Sequence, residues 1–217
     1  PDLFSGSDSG DSTDDDNTST TTPTLSGTAE AGSTVDVTSD LEGGVVATTT
    51  ADVTTGAWSV ATNALSDGVH ALTATATDSM DNTSVASAAL AVTIDTTAPD
   101  APGTLDLDAA SDTGSADDDD LTNNTTPTIS GTAEAGSTVT LSSSIDGAVG
   151  TATADGTTGN WTITADTAGA TGLSDGVHAL TATATDTAGN TGVASAALAV
   201  TVDTTAPDAP SAPDLSA

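Results

Sequence analysis

Apolar and polar positions alternate with a period of two along most of this chain. In "HALTATATD", His178, Leu180, Ala182 and Ala184 fall on one face and Thr181, Thr183 and Thr185 on the other. "NWTITA" sets Trp161 and Ile163 on one side with threonines opposite, "STVTLSS" pairs Val139 with Leu141, and "ASAALAVTVD" aligns Leu198, Val200 and Val202. Successive side chains of a strand point to opposite faces, so this period is the strand signature, and Gly, Asp and Asn turns interrupt it. No segment carries a helical stripe. In the second half of the chain the pattern predicts seven strands, at roughly 104–108, 126–131, 137–143, 148–155, 160–165, 176–185 and 193–202.

The pattern occurs twice. "TTPTLSGTAEAGSTV" at 21–35 returns as "TTPTISGTAEAGSTV" at 125–139, and "LSDGVHALTATATD" at 65–78 returns unchanged at 173–186. "VASAALAVTIDTTAPDAP" at 85–102 returns with one change at 193–210, and "PDL" at 1–3 reappears at 213–215. A period near 100 residues exceeds that of solenoid repeats, about 20–45, and fits a string of autonomous domains. Seven short strands in such a unit point to an immunoglobulin-like β-sandwich. The expectation is an all-β chain of two tandem sandwiches arranged end to end as a rod: repeat 1 at 1–98, repeat 2 at 99–206, and a linker with the start of a third repeat at 207–217. "DTTAPDAP" at 95–102 and 203–210 forms the joints, stiffened by proline. On this reading the chain is a piece of a longer one.

Charge changes the picture more than size does. The 217 residues include 32 acidic ones and no lysine or arginine, a formal charge of −32. Neutralisation must come from outside cations, and partners that need basic patches, nucleic acid and anionic membrane, are not expected. There is no cysteine and hence no disulfide or thiolate metal site. No apolar run of about 18 residues reads as a membrane span, and no signal peptide is legible. High charge with few aromatics also describes disordered chains. The 35% apolar content and the sustained alternation argue against that here. The acids are almost all Asp, with Glu at positions 30, 42 and 134 alone. Asp suits turns and is a ligand for hard cations such as calcium. One Trp per repeat and many Ala make a thin core, which bound ions would reinforce. A monomer is expected.

Strand parity distributes the carboxylates between the two ends of each sandwich. If the last strand of repeat 2 runs down to Asp203, the loops 132–136, 154–160 and 186–192 lie at the end where the chain enters, and 111–123, the "SSIDG" turn and 166–175 lie at the exit. Asp95, Asp100, Glu134, Asp186 and Asn190 could then supply much of one inter-domain calcium site, since calcium takes roughly six to eight oxygens. Glu30, Asp78 and Asp81 form the matching set in repeat 1, and Asp203 the matching joint residue downstream. The rival reading is solvated turn acids. The acidic loop "SDTGSADDDD" pairs with "SDSGDSTDDD". It has neither EF-hand spacing nor nonapeptide repeats. A binding loop built on Asp106, Asp112, Asp118 and Asp120, with Asp8 in repeat 1, competes with a flexible polyanion.

The remaining polar and aromatic candidates read as structural. His70 and His178 follow "SDG" turns on inward positions, resembling the corner where a Tyr bonds backbone in sandwiches. Trp58 and Trp161 sit on inward strand positions and read as core rather than sugar platforms. No nucleophile pairing and no aromatic cleft for paired acids supports catalysis, so no enzyme is expected.

"TPTISGTAEAGSTVT", "GNWTIT", "SDGVHALTATATDTAGN" and "VTVDTTAP" resemble the tandem bacterial Ig-like extender repeats of giant calcium-dependent RTX-type surface adhesins. Many such repeats carry "DGxY" where this chain has "DGVH". The resemblance covers essentially the whole chain. It implies an extracellular place on the bacterial surface, type I secretion with folding outside, calcium at domain junctions, and a stalk that projects a distal binding domain, as in biofilm adhesion. The alternatives are a carbohydrate- or protein-binding module, and an accessory domain of a secreted polysaccharide-degrading enzyme.

Overall fold

The computed structural model of the chain describes residues 1–10, 12–114, 116, 118–166 and 172–211. Asp117 of the four-aspartate run, half of the loop predicted at 166–175, and the "PDL" expected to open a third repeat lie outside the described residues. The chain divides into two compact units, each with its own core cluster.

Repeat 1 runs β1 (Asp2–Leu3), β2 (Asn17–Thr18), β3 (Thr24–Thr28), β4 (Thr34–Ser39), β5 (Gly44–Thr50), β6 (Ala57–Ala61), β7 (Gly68–Thr77) and β8 (Leu90–Ile94). Repeat 2 runs β9 (Asp106–Leu107), β10 (Leu121–Thr122), β11 (Thr128–Thr132), β12 (Thr138–Ser143), β13 (Gly147–Thr153), β14 (Asn160–Thr164), β15 (Gly176–Thr185) and β16 (Leu198–Val202). In each repeat a three-stranded sheet, β1-β3-β6 or β9-β11-β14, faces a five-stranded one, β2-β8-β7-β4-β5 or β10-β16-β15-β12-β13. Alternate residues from both sheets meet in the middle: Leu25, Val35, Val37, Leu72 and Val92 in repeat 1, and Ile129, Val139, Leu141, Leu180 and Val200 in repeat 2. All seven predicted strands form, so the all-β sandwich expectation holds.

Two differences from the predicted strands have local causes. The last strand is shorter than predicted because the chain before it is held by side chains. The Ser195 N–H donates to the Ala182 carbonyl at 2.8 Å, and Ser195 Oγ accepts the Ala182 N–H at 3.0 Å, taking the place of a strand carbonyl. The eighth strand, β2 or β10, pairs parallel to β8 or β16 and is two residues long, too short for alternation to mark it.

Two motif residues are explained by packing. Gly27 pairs with Trp58 across β3 and β6, and Gly131 with Trp161 across β11 and β14. A Cβ on Gly131 would lie 2.6 Å from Trp161 Cζ2, so the "SGT" glycine is there because the indole lies against the backbone. His70 and His178 are fully buried. His178 Nε2 lies 2.7 Å from the Ser174 carbonyl, and Nδ1 lies 2.8 Å from Ser143 Oγ. A carbonyl only accepts, so Nε2 carries a hydrogen and donates it to the Ser174 carbonyl. His70 repeats this with Ser66 and Ser39. The histidines close the corner below β7 and β15, as their positions predict.

Candidate cation sites in the acidic loops

Each acidic loop links the two sheets of its repeat and is fastened at both ends. In repeat 1 the Ser7 and Asp8 N–H groups donate back to the Phe4 carbonyl at 2.7 and 3.2 Å, making a tight turn after β1. Ser7 Oγ then accepts the Thr24 N–H at 3.0 Å, and Thr18 Oγ1 donates to the Ser7 carbonyl at 2.6 Å. Repeat 2 copies this with Ser111 and Asp108, Thr128 and Thr122. The chain leaves the loop through an aspartate in the left-handed region, Asp16 at φ 58° and Asp120 at φ 57°. Asp tolerates that conformation better than most non-glycine residues. The preceding aspartate caps the bend: Asp15 Oδ1 accepts the Asn17 N–H at 3.1 Å, and Asp119 Oδ1 accepts the Leu121 N–H at 3.2 Å. Asp16 and Asp120 then pass their carbonyls to the N–H groups of Thr93 and Thr201, both at 2.9 Å, which starts the parallel pairing.

One aspartate per loop is drawn inside. Asp8 is 6% exposed and Asp112 8%. Asp112 Oδ2 accepts the Asp120 N–H at 3.1 Å, and Asp8 Oδ2 that of Asp16 at 3.4 Å. The other oxygen, Oδ1, is buried without a hydrogen-bond partner in both residues. A buried carboxylate oxygen with no donor carries a desolvation cost, and its recurrence in two copies marks it as a feature of the repeat. In repeat 1, Asp2, Asp8, Asp14 and Asp16 line one open depression of about 360 Å³. Burial pushes the Asp8 carboxyl above its ordinary 3.8, with repulsion from Asp15, Asp16 and Asp14 adding to it. Burial also raises Asp16, with repulsion from Asp2, Asp15 and Asp14. Asp120 is raised by burial and by repulsion from Asp112, Asp106 and Asp119. The folded loop therefore holds negative charge where it is unfavourable. Among the described residues, no group of three or more His, Cys, Asp or Glu stands as a ready-made metal centre.

The sequence candidates distribute as follows. Asp106 and Asp112 act electrostatically on Asp120, and Asp118, exposed, corresponds to Asp14 of the repeat 1 depression. Asp2, Asp14 and Asp16 are the repeat 1 counterparts of Asp106, Asp118 and Asp120. Of the joint residues, Asp186 and Asn190 are brought together in one loop. Asn190 donates its backbone N–H to Asp186 Oδ1 and its side-chain amide to Oδ2, both at 2.9 Å. Asp78 takes the corresponding bonds from Asn82 and one from the Met80 N–H at 2.8 Å. These bonds lower the Asp78 carboxyl below 3.8. Glu30 and Asp78 line one groove of repeat 1, while Asp81 stands outside it at φ 64°. Asp95 and Asp203 each cap the next turn, accepting the N–H of Thr97 or Thr205 at 2.9 Å. Asp100 and Glu134 are exposed.

Comparison with solved structures returns several similar proteins. The chain is 24% identical to a biofilm-associated protein's BSP domain, with TM-score 0.34, over 88% of this chain and 29% of that one. It is 28% identical to a tetra-tandem repeat from the extending region of a large adhesion protein, with TM-score 0.35, over 91% and 48%. To a structure from a 1.5-MDa bacterial ice-binding adhesin it is 29% identical, with TM-score 0.34, over 84% and 58%. The chain thus spans less than two thirds of each of these relatives. No curated protein matches it. The bacterial Ig-like domain family matches residues 1–96 and again 98–204. With two sandwiches of the same strand order and a family match to each, the chain belongs to the bacterial Ig-like domain family, in two tandem copies.

Proposed function

We propose that this chain is a calcium-stiffened extender segment of a bacterial surface adhesin, one that holds a binding domain away from the cell. The observation that carries the calcium part is the same in both repeats: a buried aspartate, Asp8 or Asp112, with one oxygen unpartnered among carboxylates that repel one another. The chain holds no Lys or Arg to neutralise them. Calcium suits such a set, taking hard oxygen ligands in a flexible shell. Asp2, Asp8, Asp14 and Asp16, and their counterparts Asp106, Asp112, Asp118 and Asp120, are the residues that would hold it, drawn inward from positions set by repulsion. Asp95, Asp100, Glu134, Asp186 and Asn190 remain the proposed set at the joint. Glu30, Asp78, Asp81 and Asp203 repeat its elements at the other repeat boundaries. The motifs shared with adhesin extender repeats carry the rest of the reading, including the place outside the cell.

Small-angle scattering and thermal unfolding, each in calcium and in calcium-free buffer, test this. Calcium is expected to raise the melting temperature by several degrees, as about 1–3 kcal/mol of preferential binding does for domains of this size. It should also narrow the distribution of maximum dimensions. An unchanged melting temperature removes calcium from the proposal, and unchanged dimensions remove the stiffening.

A further inference from the structure

The two acidic loops differ at a pair of positions that their own folding does not explain. In repeat 2 Asp108 caps the turn after β9, its Oδ1 accepting the Ala110 N–H at 3.0 Å. Repeat 1 has Phe4 in place of Asp108 and Gly6 in place of Ala110. The exchange removes a turn cap and puts an aromatic ring in solvent, for Phe4 is 54% exposed. It is the one phenylalanine of the chain, and both tryptophans are buried in the cores. The ring lies over Gly6, where a Cβ would come within 2.9 Å of Phe4 Cε1, so glycine makes room for it. Phe4 lines the same depression of about 360 Å³ as Asp2, Asp8, Asp14 and Asp16. Because β1 runs antiparallel to β3, the chain before Asp2 is directed towards Thr28, away from this loop.

A bare metal ion gains nothing from a phenyl ring, whereas a cation with a flat organic body does. We propose that the repeat 1 depression binds the guanidinium of an arginine side chain from a partner protein. The carboxylates of Asp2, Asp14 and Asp16 accept its N–H groups, and its plane stacks on Phe4. A guanidinium carries five donors in a rigid fork matched to carboxylates, is weakly hydrated and stacks on aromatic faces. The lysine ammonium is a compact, strongly hydrated charge that makes less use of the ring. Asp8 is the observation separate from surface charge: it is 6% exposed, lines the depression, and has one oxygen without a donor. Any cation relieves the push of Asp2 and Asp14 on Asp16, but the ring selects among cations.

The volume stands at the low end of the range for small-ligand sites, about 300–1,000 Å³, which suits one side chain. A second copy of this chain cannot supply it, because the chain has no Lys or Arg. Repeat 2, with Asp108 at the matching place, keeps an all-carboxylate loop, so the two loops differ in ligand. The arginine site shares its carboxylates with the proposed calcium set and does not depend on calcium. In repeat 1 the two cations exclude each other.

Two-dimensional NMR of the full chain tests this, in calcium-free buffer with ionic strength matched by sodium chloride. The probes are N-acetyl-arginine amide, N-acetyl-lysine amide and N-acetyl-citrulline amide, the last having the shape of arginine without its charge. The arginine probe should move the Phe4 ring signals and the Asp8 and Asp16 N–H signals saturably, with a Kd on the order of 10⁻³ M. The lysine probe should bind several-fold more weakly and the citrulline probe not at all. Phe4→Asp, which installs the residue that repeat 2 folds with, should weaken the arginine probe several-fold and leave calcium binding in place. Equal movement of the Asp112 and Asp120 signals overturns the proposal, since diffuse counter-ions would give that. So does an unchanged affinity in Phe4→Asp, or a lysine probe that binds as tightly as arginine. A calcium titration of the same sample separates the two readings. Calcium bound at both loops with no arginine binding removes the arginine site alone, and arginine binding in a chain that takes up no calcium supports it and removes the calcium reading alone.

Discussion

At the residue scale, the least conspicuous letters of the repeat do specific work. Gly131 is fixed by the indole of Trp161 stacked across the strand pair. Replacing it with Ala forces the ring or the strand aside, and overpacking of that kind costs about 1–3 kcal/mol. G131A should therefore lower the melting temperature of repeat 2 by several degrees in calorimetry, while Gly147→Ala, a turn glycine with no atom within 4 Å of its would-be Cβ, serves as a control for backbone strain alone. The two tryptophans differ in one respect: Trp161 Nε1 is buried without a partner, whereas Trp58 lines the open groove. The inward corner positions of the histidines were legible from the strand parity of "DGVH". Their serine partners were not, because Ser143 and Ser174 lie on separate segments that meet through the fold.

At the element scale, the acidic loop is a crossover that carries the chain from the three-stranded to the five-stranded sheet. Its charge density opposes its own fold unless a cation binds. Asp112→Asn separates these effects by sign. In calcium-free buffer the variant removes repulsion on Asp120 and should raise stability by on the order of 1 kcal/mol. In saturating calcium it removes a ligand, so the gain from calcium should shrink by several-fold in a binding titration. A loop that is merely a solvated polyanion predicts no calcium dependence in either protein.

At the scale of the whole molecule, the same carboxylates govern the response to pH. Asp8, Asp16 and Asp120 have folded values above their ordinary 3.8, so their protonated forms are the ones the fold favours. Their stabilising contribution is present below the unfolded value and is lost as pH rises through the folded one. Asp52, Asp78, Asp155 and Asp175 have folded values below 3.8, held down chiefly by hydrogen bonds from turn groups. Their contribution is present above 3.8 and is lost only as pH falls through those lower values. As pH falls from neutrality, then, protons relieve the acidic loops before the turn caps lose their charge. The melting-temperature difference between calcium-saturated and calcium-free protein should be largest near neutrality and contract steadily as pH falls. A difference that grows on acidification sinks the assignment of calcium to these loops.

The sequence by itself determined the number of repeats, the sandwich and the inward positions of Trp161, Ile163, Leu180 and Val200. A period of two combined with exact repetition fixes which face each residue takes, whatever the strands pair with. It also marked the acidic loops as paired features, with Asp112 and Asp120 among them. Only the tertiary structure decided which aspartate is buried. That depends on Ser111 and Thr122 tying the loop back beneath β10, and on Asp120 turning its N–H towards Asp112.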